Sequence, residues 1–193
     1  MATPRKLVEN LSEILGVTTA TVTVHDRNLS TAAPIPLRTV AGRGRAAARV
    51  TATDAANLLI AVVGSESVKD SVAAVLKYGD LRVEHAMNSG IVRFDELPEG
   101  HTFAQGLAAL IHAASVKEIV ESRSFSLKIR FRGPRPTARI GWSMDDRVSW
   151  NDYGVENRWP AKDTTRYVGD LERTALVSDS TILYLGATVG DLL

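Results

Sequence analysis

The residues able to do chemistry are few and scattered. His25, His85, His101 and His112 stand apart, with no His-x-x-x-His or comparable ligand spacing. The chain has no cysteine, which excludes thiolate zinc sites and a disulfide framework. Neither a phosphate-cradling Gly-x-x-x-x-Gly-Lys nor a Gly-x-Ser-x-Gly occurs, and Gly42-Arg43-Gly44 lacks the third glycine and preceding apolar strand of a dinucleotide site. Asp145, Asp146 and Asp152 would need a strand and a turn to converge on a divalent cation. Neighbours on a strand point to opposite faces, so Asp145-Asp146 reads as the turn between Trp142 and Trp150. No catalytic residue, metal or cofactor is expected. What remains is recognition chemistry: the hydroxyls of Thr18, Thr19, Thr21 and Thr23, and the cations Arg27, Arg38, Arg43, Arg45 and Arg49. Lys128, Arg130 and Arg132 form a second basic set. Short hydroxyls and guanidinium groups meet base edges and phosphates.

The first of these sets sits on a recognisable pair of elements. Leu7, Val8, Leu11, Ile14 and Leu15 recur at helical spacing, giving an apolar face from about Arg5 to Leu15. Gly16 ends that helix where a left-handed backbone is needed. Val17 is placed to plug the corner, Thr18 or Thr19 to cap the next helix, Ala20 to let two helices approach, and Val22 to anchor inward. The second helix runs from about Thr18 to Leu29. Several of its polar residues, from Thr19 to Asn28, are expected to face outward. Because Val22 and Val24 alternate with Thr21 and Thr23, the segment also admits a strand from Thr19 to Val24, or an ordinary helical hairpin.

Ser30 to Pro36 reads as a loop. From Leu37 to Val50, two short runs flank Gly42-Arg43-Gly44-Arg45, which suits a hairpin with a flexible basic tip, a wing able to reach phosphate or the minor groove. A surface loop with solvated arginines is the alternative. This pattern resembles the helix-turn-helix of bacterial and phage DNA-binding proteins, and its layout is similar to MerR-like winged-helix domains. The resemblance implies a recognition helix in the major groove and a wing beside it.

Thr53 to Gly64 reads as a capped, buried helix, and Ser65 to Tyr78 as a second, with Val68, Val72, Val75 and Leu76 on one face. Leu81 to Glu99 reads as irregular, with a short strand over Ile91 to Phe94. Thr102-Phe103-Ala104-Gln105 is a capping box. It opens a helix whose stripe runs through Phe103, Leu107, Leu110, Ile111 and Ala114 and on to Ile119 and Val120. From Ser124 the period changes to two: Phe125, Leu127, Ile129 and Phe131 alternate with Lys128, Arg130 and Arg132. Arg135 and Arg139 extend that basic face, which is either a nucleic-acid contact or the charge of a soluble edge strand. Ala138 to Trp142, Arg147 to Trp150, Thr174 to Val177 and Thr181 to Leu185 read as further strands.

The expected fold class is α+β: a winged helix-turn-helix over 1–64, a helical region over 65–122 for core or dimerisation, and an antiparallel β domain over 123–193. The formal net charge of +1 is unevenly spread. Residues 1–50 hold seven basic and three acidic side chains, residues 51–122 five and ten, and residues 123–193 eleven and nine. The basic N-terminal block fits a local nucleic-acid footprint, and the acidic middle would turn away from it. The longest apolar run, Leu58 to Val63, is too short to cross a bilayer, and no signal peptide is read at the N-terminus, so a cytoplasmic protein is expected. The combined reading is a non-enzymatic, sequence-specific binder of double-stranded DNA, a bacterial or prophage transcriptional regulator acting as a dimer. The alternatives are a phage DNA-packaging or recombination accessory, and a phage-derived anti-defence module that binds a protein partner through its β domain.

Overall fold

Local signals start most of the helices. The computed structural model describes residues 3–39, 49–87, 91–119, 125–144, 147–154 and 173–191. Helix α1 (Pro4–Leu15) begins at Thr3, whose hydroxyl accepts the Lys6 N–H at 3.2 Å, with Pro4 in the first turn. Helix α2 spans Thr19–Ser30, so the β-branched run is helical and the strand reading of Thr19 to Val24 is excluded. Burial of Val22 and Leu29 outweighs the modest propensity cost of valine and threonine. Helix α3 (Ala52–Gly64) is opened by a reciprocal capping box of Thr51 and Asp54. The cap is Thr51, two residues before the expected Thr53. A 3-10 turn at Val68–Asp70 precedes α4 (Ser71–Gly79), so Ser65 to Tyr78 is not one helix, and Leu76 is 51% exposed.

Strand β1 (Val83–Met87) and the short helix α5 (Val92–Asp95) occupy the stretch read as irregular, and Ile91 to Phe94 is not a strand. Helix α6 (Phe103–Ser115) has its Thr102–Gln105 capping box and stops at Val116, with Lys117 in the left-handed region at φ 63°. Ile119 is therefore buried from a turn and not from the helix. Strand β2 (Phe125–Gly133) follows the expected alternation, and β3 (Thr137–Met144), β4 (Arg147–Tyr153) and β5 (Arg173–Ser178) cover the further stretches read as strands. The last element, α7 (Asp179–Val189), replaces the strand expected over Thr181 to Leu185. Its Gly186 lies so close to Ala114 of α6 that a side chain there would collide with the Ala114 backbone.

The five strands form one antiparallel sheet in the order β1-β4-β3-β2-β5. Register puts Leu127 opposite Trp142, Ile129 opposite Ile140 and Phe131 opposite Ala138 on the buried face. That face is joined to the helices by a continuous chain of rings. Tyr78 of α4 meets Phe131, which meets Phe103 of α6 and then Tyr153. From Tyr153 the chain continues through His101 and Phe94 of α5 to Trp142, with centroid separations of 4.9–5.6 Å along its length. Residues from all three expected segments, such as Leu11, Leu59, Leu110, Ile140 and Ile182, belong to one hydrophobic core. Helices α1 and α7 are tied by Asn10 donating to the Thr188 hydroxyl at 2.8 Å and Tyr184 donating to Glu13 at 3.1 Å. No described helix is long and apolar enough to cross a membrane.

Candidate nucleic-acid interface

The turn between α1 and α2 is three residues long, Gly16-Val17-Thr18. Gly16 sits at φ 64°, ψ 27°, a conformation open to glycine without a Cβ penalty. Its N–H donates to Glu13 O at 3.2 Å and the Val17 N–H to Ser12 O at 3.0 Å, which closes the helix end. Val17 packs partly buried against the core. Thr18 is the cap, accepting the Thr21 N–H at 3.3 Å, and its hydroxyl lies 2.9 Å from that of Thr21.

The inward face of α2 is only partly apolar. Val22 and Leu29 are fully buried, and between them His25 is 3% exposed. The Ser71 hydroxyl donates to Val68 O, so its oxygen is left to accept, and the His25 Nδ1–H fills that role at 2.9 Å. Asn28 donates to Val68 O at 2.7 Å and to Ser71 Oγ at 3.2 Å. His25 thus takes the place of an apolar anchor, and burial holds its pKa below the ordinary range. Asp26 faces Arg38 at 2.6 Å, an ion pair by distance whose angle is not that of a hydrogen bond. Burial raises the Asp26 pKa, and the Arg38 charge opposes that shift.

With His25, Asp26 and Asn28 turned inward, the exposed stripe of α2 is Ala20, Thr23, Val24 and Arg27, flanked by Thr19. These positions follow the i, i+3, i+4, i+7 spacing of one helix face. Ala20, expected at a helix–helix approach, is exposed. The Thr23 hydroxyl donates to Thr19 O at 2.7 Å and keeps its acceptor capacity outward. Thr18 and Thr19 are exposed and Thr21 is partly so.

The expected cationic partners separate. Arg38 is committed to Asp26, with 12% of its side chain exposed, and also donates to Thr39 O at 3.1 Å. Arg49 is exposed. Arg43 and Arg45 fall within residues 40–48, outside the described residues, and the flanking residues 37–39 and 49–50 are not strand. The described residues on either side of this segment share one partner. The Asp54 carboxylate accepts the Thr39 N–H at 2.6 Å and the Thr51 N–H at 2.8 Å, so the chain leaves and returns at one side chain of α3. In sequence Asp54 reads only as part of a helix start, since its partner Thr39 lies fifteen positions away.

The second basic set lies on the outer face of the sheet. Lys128 and Arg130 are exposed and Arg132 partly so. Strand β2 pairs with β3 on one side and β5 on the other, so it is not an edge. The edge-strand explanation for these charges is therefore removed. Arg130 stands opposite Arg139, which also pairs with Asp152 of β4, Nη2 to Oδ2 2.8 Å. Trp150 and Met87 lie beside this set, and periodicity did not single them out. In β4 polar residues occupy both faces, so alternation there gives no clear signal. Among the described residues no group of three metal-ligating side chains is gathered. No protein-family model, curated protein or solved structure matches the chain.

Proposed function

We propose that this chain binds double-stranded DNA as a bacterial or phage transcriptional regulator, with α2 entering the major groove. What supports the reading is the seat of α2. A three-residue glycine turn leads into a helix whose inner face is held by Val22, His25, Asn28 and Leu29, leaving Thr19, Ala20, Thr23, Val24 and Arg27 outward. Those are the side chains for base edges: hydroxyls suit donor or acceptor edges, methyl groups suit the thymine methyl, and a guanidinium suits guanine or phosphate. Arg49, and Arg43 and Arg45 from the Gly-Arg segment, would reach phosphates. Arg38 is left out, since its charge is already met by Asp26. A single such unit covers one half-site, so the proposed species is a dimer on two half-sites about 34 Å apart. No catalytic step is assigned.

Mobility shift against selected genomic fragments at fixed salt tests this. Thr19→Ala and Arg27→Ala should change sequence preference, by about 5- to 150-fold at the affected position. Arg43→Ala with Arg45→Ala should weaken binding to every sequence and reduce the salt slope by about 2. Unchanged retention in both sets would reject the assignment of α2. Ring-shaped oligomers in light scattering would point instead to a packaging accessory, and co-purification of a protein with no DNA retained would point to the interaction module.

A further inference from the structure

We propose that the outer face of the sheet is a binding surface for single-stranded nucleic acid, with Lys128 and Arg130 on its phosphates and Trp150 under its bases. This surface is separate from α2. The strand order places β2 between β3 and β5. Cations on an edge strand keep it from pairing with other chains, but β2 is already paired on both sides. Its charges have no such task. They also work against the sheet, because Arg130 and Arg139 face each other across the β2–β3 register, and like charges so placed are destabilising.

The surroundings supply little compensation. Asp152 pairs with Arg139, and Glu84 lines the same shallow cavity of about 380 Å³ with His85, Arg130 and Arg132. No ion pair joins Lys128 or Arg130 to a carboxylate among the described residues. The face therefore keeps positive charge at its centre. A neighbouring row runs Met87, Trp150, Gly141, Lys128 across β1, β4, β3 and β2. Gly141 puts no side chain between the indole and the ammonium, and Met87 is 47% exposed at the end of the row. A partly exposed tryptophan one strand from an open shelf, with cations beyond it, is the combination that unpaired strands require. Bases offer π-faces to an aromatic ring while the backbone tracks a basic groove. A duplex hides its base faces and would leave Trp150 without a role, which is why a single strand is the occupant argued for.

The test is fluorescence anisotropy of a labelled oligothymidine of about 20 nucleotides with the intact chain, from low to moderate salt. Wild type should bind, and Lys128→Ala with Arg130→Ala should weaken binding at least tenfold and lower the salt slope by about 1.4. Trp150→Ala should weaken it at least fivefold and Trp150→Phe should restore most of that. Arg27→Ala should leave it unchanged, which separates this surface from α2. Circular dichroism melts confirm that each variant is folded, and Trp150→Thr, which suits a strand but carries no ring, takes the place of Trp150→Ala should the latter not fold. Absence of binding by wild type at low salt would overturn the proposal. So would equal loss with Arg27→Ala, or full binding by a folded, ring-free Trp150 variant from which inorganic polyphosphate displaces the oligonucleotide, which would mark a general anion surface.

Discussion

Helix α2 and the outer sheet face are both polar surfaces, but they rest on different foundations. Beneath α2 the seat is half polar: His25 and Asn28 reach Ser71 and Val68, and Asp26 faces Arg38. Beneath the sheet it is a chain of aromatic rings running from Tyr78 to Trp142. The helix consequently turns much of its polar character inward and keeps one outward cation, Arg27. The sheet sorts its residues by alternation and keeps Lys128 and Arg130 outward. Counting polar residues along a helix therefore overstates its recognition surface, whereas counting them on alternate strand positions does not.

The largest expected effect comes from breaking the ring chain. Phe103→Ala removes the ring that joins Phe131 to Tyr153 and should lower unfolding stability by about 3–5 kcal/mol in urea denaturation. A loss below about 1 kcal/mol would mean that the sheet is held by something else. Each foundation also holds a buried histidine, His25 under α2 and His101 under the sheet. His101 donates from Nδ1 to Pro98 O at 3.2 Å and accepts at Nε2 from the Tyr153 hydroxyl at 3.0 Å. His101→Leu would leave that buried hydroxyl, whose pKa burial has raised strongly, without an acceptor, at a cost of about 1–3 kcal/mol. His25→Leu should cost less, since Ser71 keeps Val68 O and Asn28 as partners.

Burial depresses the pKa of both imidazoles, in His101 against the bond to Pro98 O. The unfolded chain then binds more protons once pH drops below about 6.5, so stability is full above that value and is lost as pH falls. Each histidine contributes a slope of at most ~1.4 kcal/mol per pH unit. Denaturation at pH 7.5, 6.5 and 5.5 should show the slope reduced in either leucine variant. An unchanged slope in both would contradict the assignment. The smallest effect is expected at Asn151, fully buried on the inner side of β4 with neither polar atom hydrogen-bonded. Asn151→Val should be neutral or stabilising by about 1 kcal/mol, and a marked loss in thermal denaturation would show that the amide has a partner.

Features set by neighbours in sequence were legible from it. Gly16 with the Thr18 cap, the Thr102–Gln105 box and the alternation of β2 each depend on residues within a few positions, and each stands where it was expected. Features set at long range were not. His25 becomes a core residue only because Ser71, 46 positions on, lies against it. The segment Thr181 to Leu185 has strand-like composition and is helical because Gly186 and its neighbours pack on α6. Alternation in β2 could not say whether the strand lay at an edge or inside, and that position decides what its charges mean. Of the residues proposed to contact DNA, the outward stripe of α2 was partly readable, whereas the pairing of Arg38 with Asp26 was not.

Amide chemical-shift mapping with a selected duplex is the most direct test of the central claim. Perturbations are expected to concentrate on Thr18 to Arg27, with Phe125 to Gly133 unmoved. Perturbations confined to the sheet, or none in α2 at saturating duplex, would contradict it.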